Sequence, residues 1–378
     1  MNAERDLFHE QICPDLNEVA RTYGESIDVC DLRWGVDTTT LETEDGAKKV
    51  LSVCGKVLFW LVFAVLCILL AVRVVDYAAF FPFYSNAQAV FAMPGIHEGY
   101  VPQGFDYDKS QGKFLATGYM SDKTASRVYL FDETGNGSYT ELLKKNGKAY
   151  NYHTGGIAFF GEYLYITGST GIDVFSYTEV KNGAKTVKQL GSVKTYNDPA
   201  YCYVHDGYLF AGSYFYETDE IEAAEHVTTP AGQKNTAIIT VFKLDDSQEF
   251  GIDPTVRAVI STKDRAQGMC FTENGDLVLS TSSGLSVSQL TVYDVSDLAT
   301  TAGDPDGEFT AGEADVSELP WYYLEDNDVK DVISAPPMSE EIVFLNGKFY
   351  VMNESACNKY IFGKFTTGLW LYAYEYAK

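Results

Sequence analysis

Four polar side chains recur at one place in a repeated pattern. Gln103, His153, Gln267 and Glu340 each stand at or just before the start of a short alternating segment in this 378-residue chain. Thr154 with Gly155, Asp198 with Pro199, and Ser339 hold equivalent places. If a fold gathers these positions, a carboxylate, amides and backbone carbonyls converge. Such oxygen donors suit a hard cation such as Ca2+, which tolerates irregular geometry, and Glu340 would be its metal ligand. The plainer alternative is a set of polar plugs that satisfy one another and water. A lone imidazole is more often structural than a catalytic base, which applies to His153. Strand alternation puts Glu340 and Glu341 on opposite faces, so Glu340 is expected to face a shared channel.

The segments that carry these residues are copies of one unit. It reads strand, turn with Gly, Asn or Asp, then a strand ending in small residues: QGFDYDKSQGKFLATGYM from Gln103, GGIAFFGEYLYITGSTG from Gly155, PAYCYVHDGYLFAGSYFY from Pro199, QGMCFTENGDLVLSTSSG from Gln267 and SEEIVFLNGKFYVMNESA from Ser339. A third strand rich in Tyr and Phe follows each hairpin, beginning at Arg127, Ile172, Ala237, Gln289 and Gly368. Weaker fourth strands are predicted from Ser138, Gln189, Thr255 and Pro320. The last copy has none, whereas the first is preceded by a surplus strand, Gln88–Pro94.

If that strand completes the last sheet, the ring closes and no open edge remains. The predicted fold is therefore all-β, a five-bladed β-propeller. Six blades would follow if the intervals 200–267 and 268–339 hid a degenerate copy, but loops at 217–235 and 300–318 account for the extra length. In a propeller the first strands line a central channel, which brings Gln103, His153, Gln267 and Glu340 to one mouth. Aromatics at Tyr214, Phe215, Tyr216 and Trp321-Tyr322-Tyr323 would either form a stacking rim there or pack between blades.

Ahead of the repeats, residues 57–75 form an apolar run interrupted only by Arg73, with the length of a membrane-crossing helix. Arg73 can lift its guanidinium to the headgroups. Lys48, Lys49 and Lys56 precede the run and the next base after Arg73 is Lys109, which places the N-terminus in the cytoplasm. The expected organisation is a cytoplasmic segment at 1–54, an uncleaved signal anchor at 55–76 and an extracytoplasmic propeller at 77–378. The membrane is thus one partner. A formal charge of −25 argues against nucleic acid as another. Cys202, Cys270 and Cys357 are too few and scattered for a disulfide framework and read as buried thiols. The acidic stretch at 304–308 lacks EF-hand spacing and reads as a solvated loop.

Two resemblances add to this reading. Glu4-Arg5 and Asp31-Leu32-Arg33-Trp34-Gly35-Val36 resemble the N-terminal α/β domain of NACHT-type signalling NTPases over residues 3–54, with a helix over the first part and a strand at Ile27–Leu32. The opening strand of that domain has no counterpart before Met1, so the stretch is not expected to fold as that domain. Residues 88–378, above all RAQGMCFTENGDLVLSTSSGLSVSQLTVYDV and PPMSEEIVFLNGKFYVMNESACNKY, look like bacterial secreted or membrane-anchored propellers, whose usual Ser-Glu-Gly is Ser339-Glu340-Glu341 here. More weakly, the Ser-Glu, apolar strand and Asn-Gly-Lys sequence is similar to calcium-dependent apyrases, which implies metal-activated water in the channel. The functional expectation is a binding module for a glycan, peptide or other envelope component at the central mouth. The alternative is a calcium-dependent hydrolase of apyrase or lactonase type.

Overall fold

The computed structural model describes residues 32–33, 36–37, 44–168, 171–216, 225–360, 363 and 369–376. They fall into two compact units that divide between Ala71 and Val72. In the first, Leu32–Arg33 pairs with Val36–Asp37 in a short antiparallel ladder, and most of the helix Glu44–Ala79 follows. The remainder of the α/β resemblance, including the helix and most of the strand expected before Leu32, lies outside the described residues. Leu51–Ala79 reaches a mean hydropathy of 2.8 with none of its most apolar window buried. By length and composition it can cross a membrane.

The second unit is a five-bladed propeller. Its first strands contact one another in a closed cycle: Tyr100–Asp108, Ile157–Phe160, Pro199–His205, Ala266–Phe271, Ser339–Leu345, and back to Tyr100–Asp108. Each blade continues outward through antiparallel neighbours. The hairpins turn where small or amide residues accept a left-handed backbone. Asp206-Gly207 and Asn346-Gly347 both carry positive φ, 47° and 79°, then 52° and 75°, the pairing that matches the twist of adjacent strands.

Closure follows the expected route. Ala87–Ala92 is the outer strand of the last blade, with Ala92 opposite Trp370 and Ala87 opposite Tyr374. Ahead of it the short helix Phe81–Asn86 packs Phe83 against Tyr372 and Tyr374. The Tyr84 hydroxyl donates to Asp76 at 2.8 Å, and Arg73 bonds the same carboxylate at 3.1 Å. The chain is therefore tied to the last blade from Arg73 onward.

One strand assignment is corrected. The sequence pattern predicts Pro320–Tyr323 as the fourth strand of blade four, but Val329–Ala335 fills that place, antiparallel to Ser288–Tyr293. Pro320–Tyr323 instead runs parallel to Ile252–Thr262 on the outside of blade three, and Thr300–Ala302 pairs beyond it. The reason is apolar: Trp321 and Tyr323 are fully buried and join the cluster with Val259, Phe309 and Ala311. These two rings are core, not rim. Blade one is likewise widened by Thr186–Lys188, parallel to Gly137–Leu143. Cys202, Cys270 and Cys357 are buried free thiols, as expected.

Candidate functional site

The first strands break their regular pairing at one level. The register slips between Pro102 and Gly104, Pro199 and Tyr201, Ala266 and Gly268, and Ser339 and Ile342. Gln103, Ala200, Gln267 and the pair Glu340-Glu341 are the residues in those bulges. A bulge inserts an unpaired residue and re-aims side chains, so strict alternation no longer holds there. Glu340 and Glu341, in the bulge of the last blade, are each only 2% exposed.

Glu341 occupies the axis. Its carboxyl accepts backbone N–H bonds from Phe105 at 2.6 Å, Ile157 at 3.1 Å and Cys202 at 2.9 Å, drawn from the first strands of blades one, two and three. Blade four comes close as bare backbone: a Cβ at Gly268 would lie 2.4 Å from the Glu341 Cα. A Cβ at Gly156 would lie 2.4 Å from the Cys202 nitrogen. The Glu341 side chain is thus accommodated beside glycines on the neighbouring blades. Burial drives the Glu341 carboxyl above the ordinary range while its three N–H donors pull the other way.

Glu340 has a different environment. No described residue donates a hydrogen bond to it, and burial, with Glu354 and Glu341 nearby, pushes its carboxyl well above the ordinary range. Around it stands a polar network. The Gln103 amide donates to the Glu354 carboxylate at 2.9 Å. Burial raises the Glu354 carboxyl as well, opposed by Gln103 and Lys359. The Lys359 ammonium bonds the Tyr119 hydroxyl and lies 4.8 Å from the Tyr360 ring centroid. Tyr119 in turn contacts the His153 ring at 5.0 Å between centroids. His153 keeps part of its ring exposed, yet surrounding protein and Lys359 hold its pKa down to about 4, so it is neutral at physiological pH. The Thr154 hydroxyl and the Asn353 carbonyl oxygen, at the same end of the strands, are buried without a hydrogen-bond partner among the described residues.

The structure therefore gathers Gln103, His153 and Glu340 around Glu354 and Lys359. Gln267 is half-buried on blade four, and its side chain makes no hydrogen bond to a described residue. Glu354, Lys359 and Tyr119 were not singled out in the sequence; Asn-Glu-Ser directly after the second strand of the last copy was the available signal. Among the described residues no group of three His, Cys, Asp or Glu side chains is arranged to hold a metal ion. The acidic loop satisfies itself, Asp304 accepting N–H bonds from Asp306, Glu308 and Phe309.

The channel also has a far mouth, where the first strands end. A cavity of about 420 Å³ opens there, with Asp106, Tyr203, His205, Phe271 and Phe344 in its wall. The His205 ring stacks on Phe271 at 4.2 Å and 12°.

No protein family model matches this chain, and no curated protein matches it. Solved structures similar to it include the glutaminyl cyclase of Myxococcus xanthus, at 10% identity and TM-score 0.39 over 76% of this chain and 94% of that one. The PQQ-bound aldose sugar dehydrogenase of Streptomyces coelicolor is similar at 16% identity and TM-score 0.38, covering 71% and 78%. A calcium structure of a family AA12 carbohydrate-active enzyme from Trichoderma reesei is similar at 13% and 0.36, covering 77% and 99%. Likenesses this distant carry no argument about chemistry, and the blade count rests on this chain's own strand pairings.

Proposed function

We propose that this protein is a membrane-displayed binding module whose opening mouth, at the start of the first strands, takes a donor-rich ligand, a glycan or peptide of the cell envelope. The observation that carries this reading is Glu340, a residue only 2% exposed whose carboxyl oxygens are not sealed off and take no hydrogen bond from a described residue. A largely buried carboxyl without a partner costs folding free energy, and a ligand hydroxyl or amide would recover it. Burial raises its pKa, which favours the protonated form, able to donate as well as accept, and that suits a polyhydroxylated ligand. Gln103, the neutral imidazole of His153 and the Thr154 hydroxyl add donors and acceptors at the same end. The apolar helix supplies the anchor, and the lysines ahead of it favour a cytoplasmic N-terminus with the propeller outside.

The test is to hold the full-length chain in lipid nanodiscs and screen it against arrayed envelope glycans and peptides. Binding should appear, and Glu340→Leu, which keeps the bulk but removes both donor and acceptor, should weaken it about tenfold or more. Equal binding by the variant would move the site elsewhere.

A further inference from the structure

The far mouth is built differently from the opening one. Four of the five blades contribute to its cavity of about 420 Å³: Asp106 and Tyr107 from blade one, Tyr203 and His205 from blade three, Phe271 from blade four and Phe344 from blade five. The wall thus mixes aromatic side chains with polar ones, Thr272 and Asn274 among them, and the Asp106 carboxyl lies between them. Asp106 accepts one hydrogen bond, from the adjacent Tyr107 N–H at 2.7 Å, and no other group among the described residues bonds it. It is half-buried in the cavity wall. We propose that this cavity is a second binding site, for a small organic ammonium ion that seats its nitrogen on Asp106 among the aromatic rings. A carboxylate supplies the counter-charge and ring faces attract the cation, the pairing by which proteins hold quaternary ammonium groups.

The charges around the cavity favour a cation. Asp206 and Glu273 share its wall with Asp106, against Lys109 as the basic side chain there. Burial lowers the His205 pKa, against the pull of Asp206, so its ring is not a competing positive charge at neutral pH. The groups that face Asp106 from its own strand are Tyr107, Asp108 and Lys109. From other blades they are Tyr177 on blade two, Cys202, Tyr203, His205 and Asp206 on blade three, Glu273 on blade four, and Glu341 on the axis. Burial, opposed by the Tyr107 bond and helped by Asp108, pushes Asp106 up to about 7. A bound cation would therefore favour its ionised form and release a proton.

The probe is choline, whose charge is independent of pH, compared by calorimetry with neohexyl alcohol, its uncharged isostere, on the full chain in nanodiscs. Choline should bind and neohexyl alcohol should not. Between about pH 6 and about pH 8 its affinity should rise about tenfold, following the ionised fraction of a carboxyl with a pKa near 7. Asp106→Asn, nearly isosteric and still able to accept the Tyr107 N–H, should abolish both the binding and its pH step. Phe344→Leu, which keeps apolar bulk but removes a ring, should weaken choline several-fold. Failure of choline to bind at millimolar concentration, equal binding of the isostere, or a pH step that survives in Asp106→Asn would overturn the proposal.

Discussion

Glu340 and Glu341 are neighbours with opposite tasks, and substitutions separate them. Glu341 accepts three N–H bonds across two oxygens, whereas a glutamine has one acceptor oxygen and turns an NH2 toward the rest. Glu341→Gln should destabilise the fold by about 1–3 kcal/mol, and Glu341→Ala, which orphans all three donors, by more. Urea unfolding of the purified variants reads this difference. Glu340→Gln should have the reverse sign. Its carboxyl is raised in the folded chain, so above the unfolded value the folded state holds a proton that the unfolded state has released, and stability falls as pH rises. Removing that group should stabilise the protein at neutral pH, by an increment growing at most about 1.4 kcal/mol per pH unit. Melting curves from mildly acidic to mildly alkaline buffer check this, and a variant less stable than the parent at every pH would contradict it. The sequence revealed that an acid belongs at this level of the last blade. Which of the two lies on the axis was not legible, because alternation assigns faces and the bulge between Ser339 and Ile342 suspends alternation.

At the scale of elements, the hairpins were legible because each combines period-two apolar residues with a turn whose backbone only Gly, Asn or Asp adopts easily. The apolar helix was legible from length and hydropathy alone. The placement of Pro320–Tyr323 was not, since local pattern identifies a strand without naming its partner. Val329–Ala335 alternates less strongly in hydrophobic character, yet it takes the edge of blade four, while Trp321 finds a deeper apolar pocket beside blade three. That assignment has an energetic consequence. Trp321→Ala should cost about 3–5 kcal/mol, the range for deleting a fully buried large aromatic side chain. A loss under about 1 kcal/mol in a chemical melt would mean that Pro320–Tyr323 does not pack there. The polar network at the opening mouth escaped sequence reading for a related reason: Glu354 and Lys359 reach Gln103 and Tyr119 across more than two hundred residues, through ring closure rather than local spacing.

At the scale of the molecule, the ring is joined in two ways. At the circumference, Ala87–Ala92 pairs with Trp370–Glu375, so residues from the two ends of the propeller share one sheet. At the axis, one carboxyl from blade five holds backbone donors of blades one, two and three. A closed ring of this kind presents two unlike mouths, one with a carboxyl that no described residue bonds and one with a cavity of aromatic and polar side chains. Both depend on the first strands staying in register with one another. Hydrogen exchange of the full chain, parent against Glu341→Gln, tests that dependence most directly. The amides of Phe105, Ile157 and Cys202 should be strongly protected in the parent and should lose protection together in the variant. A loss confined to blade five, with those three amides unchanged, would contradict the account.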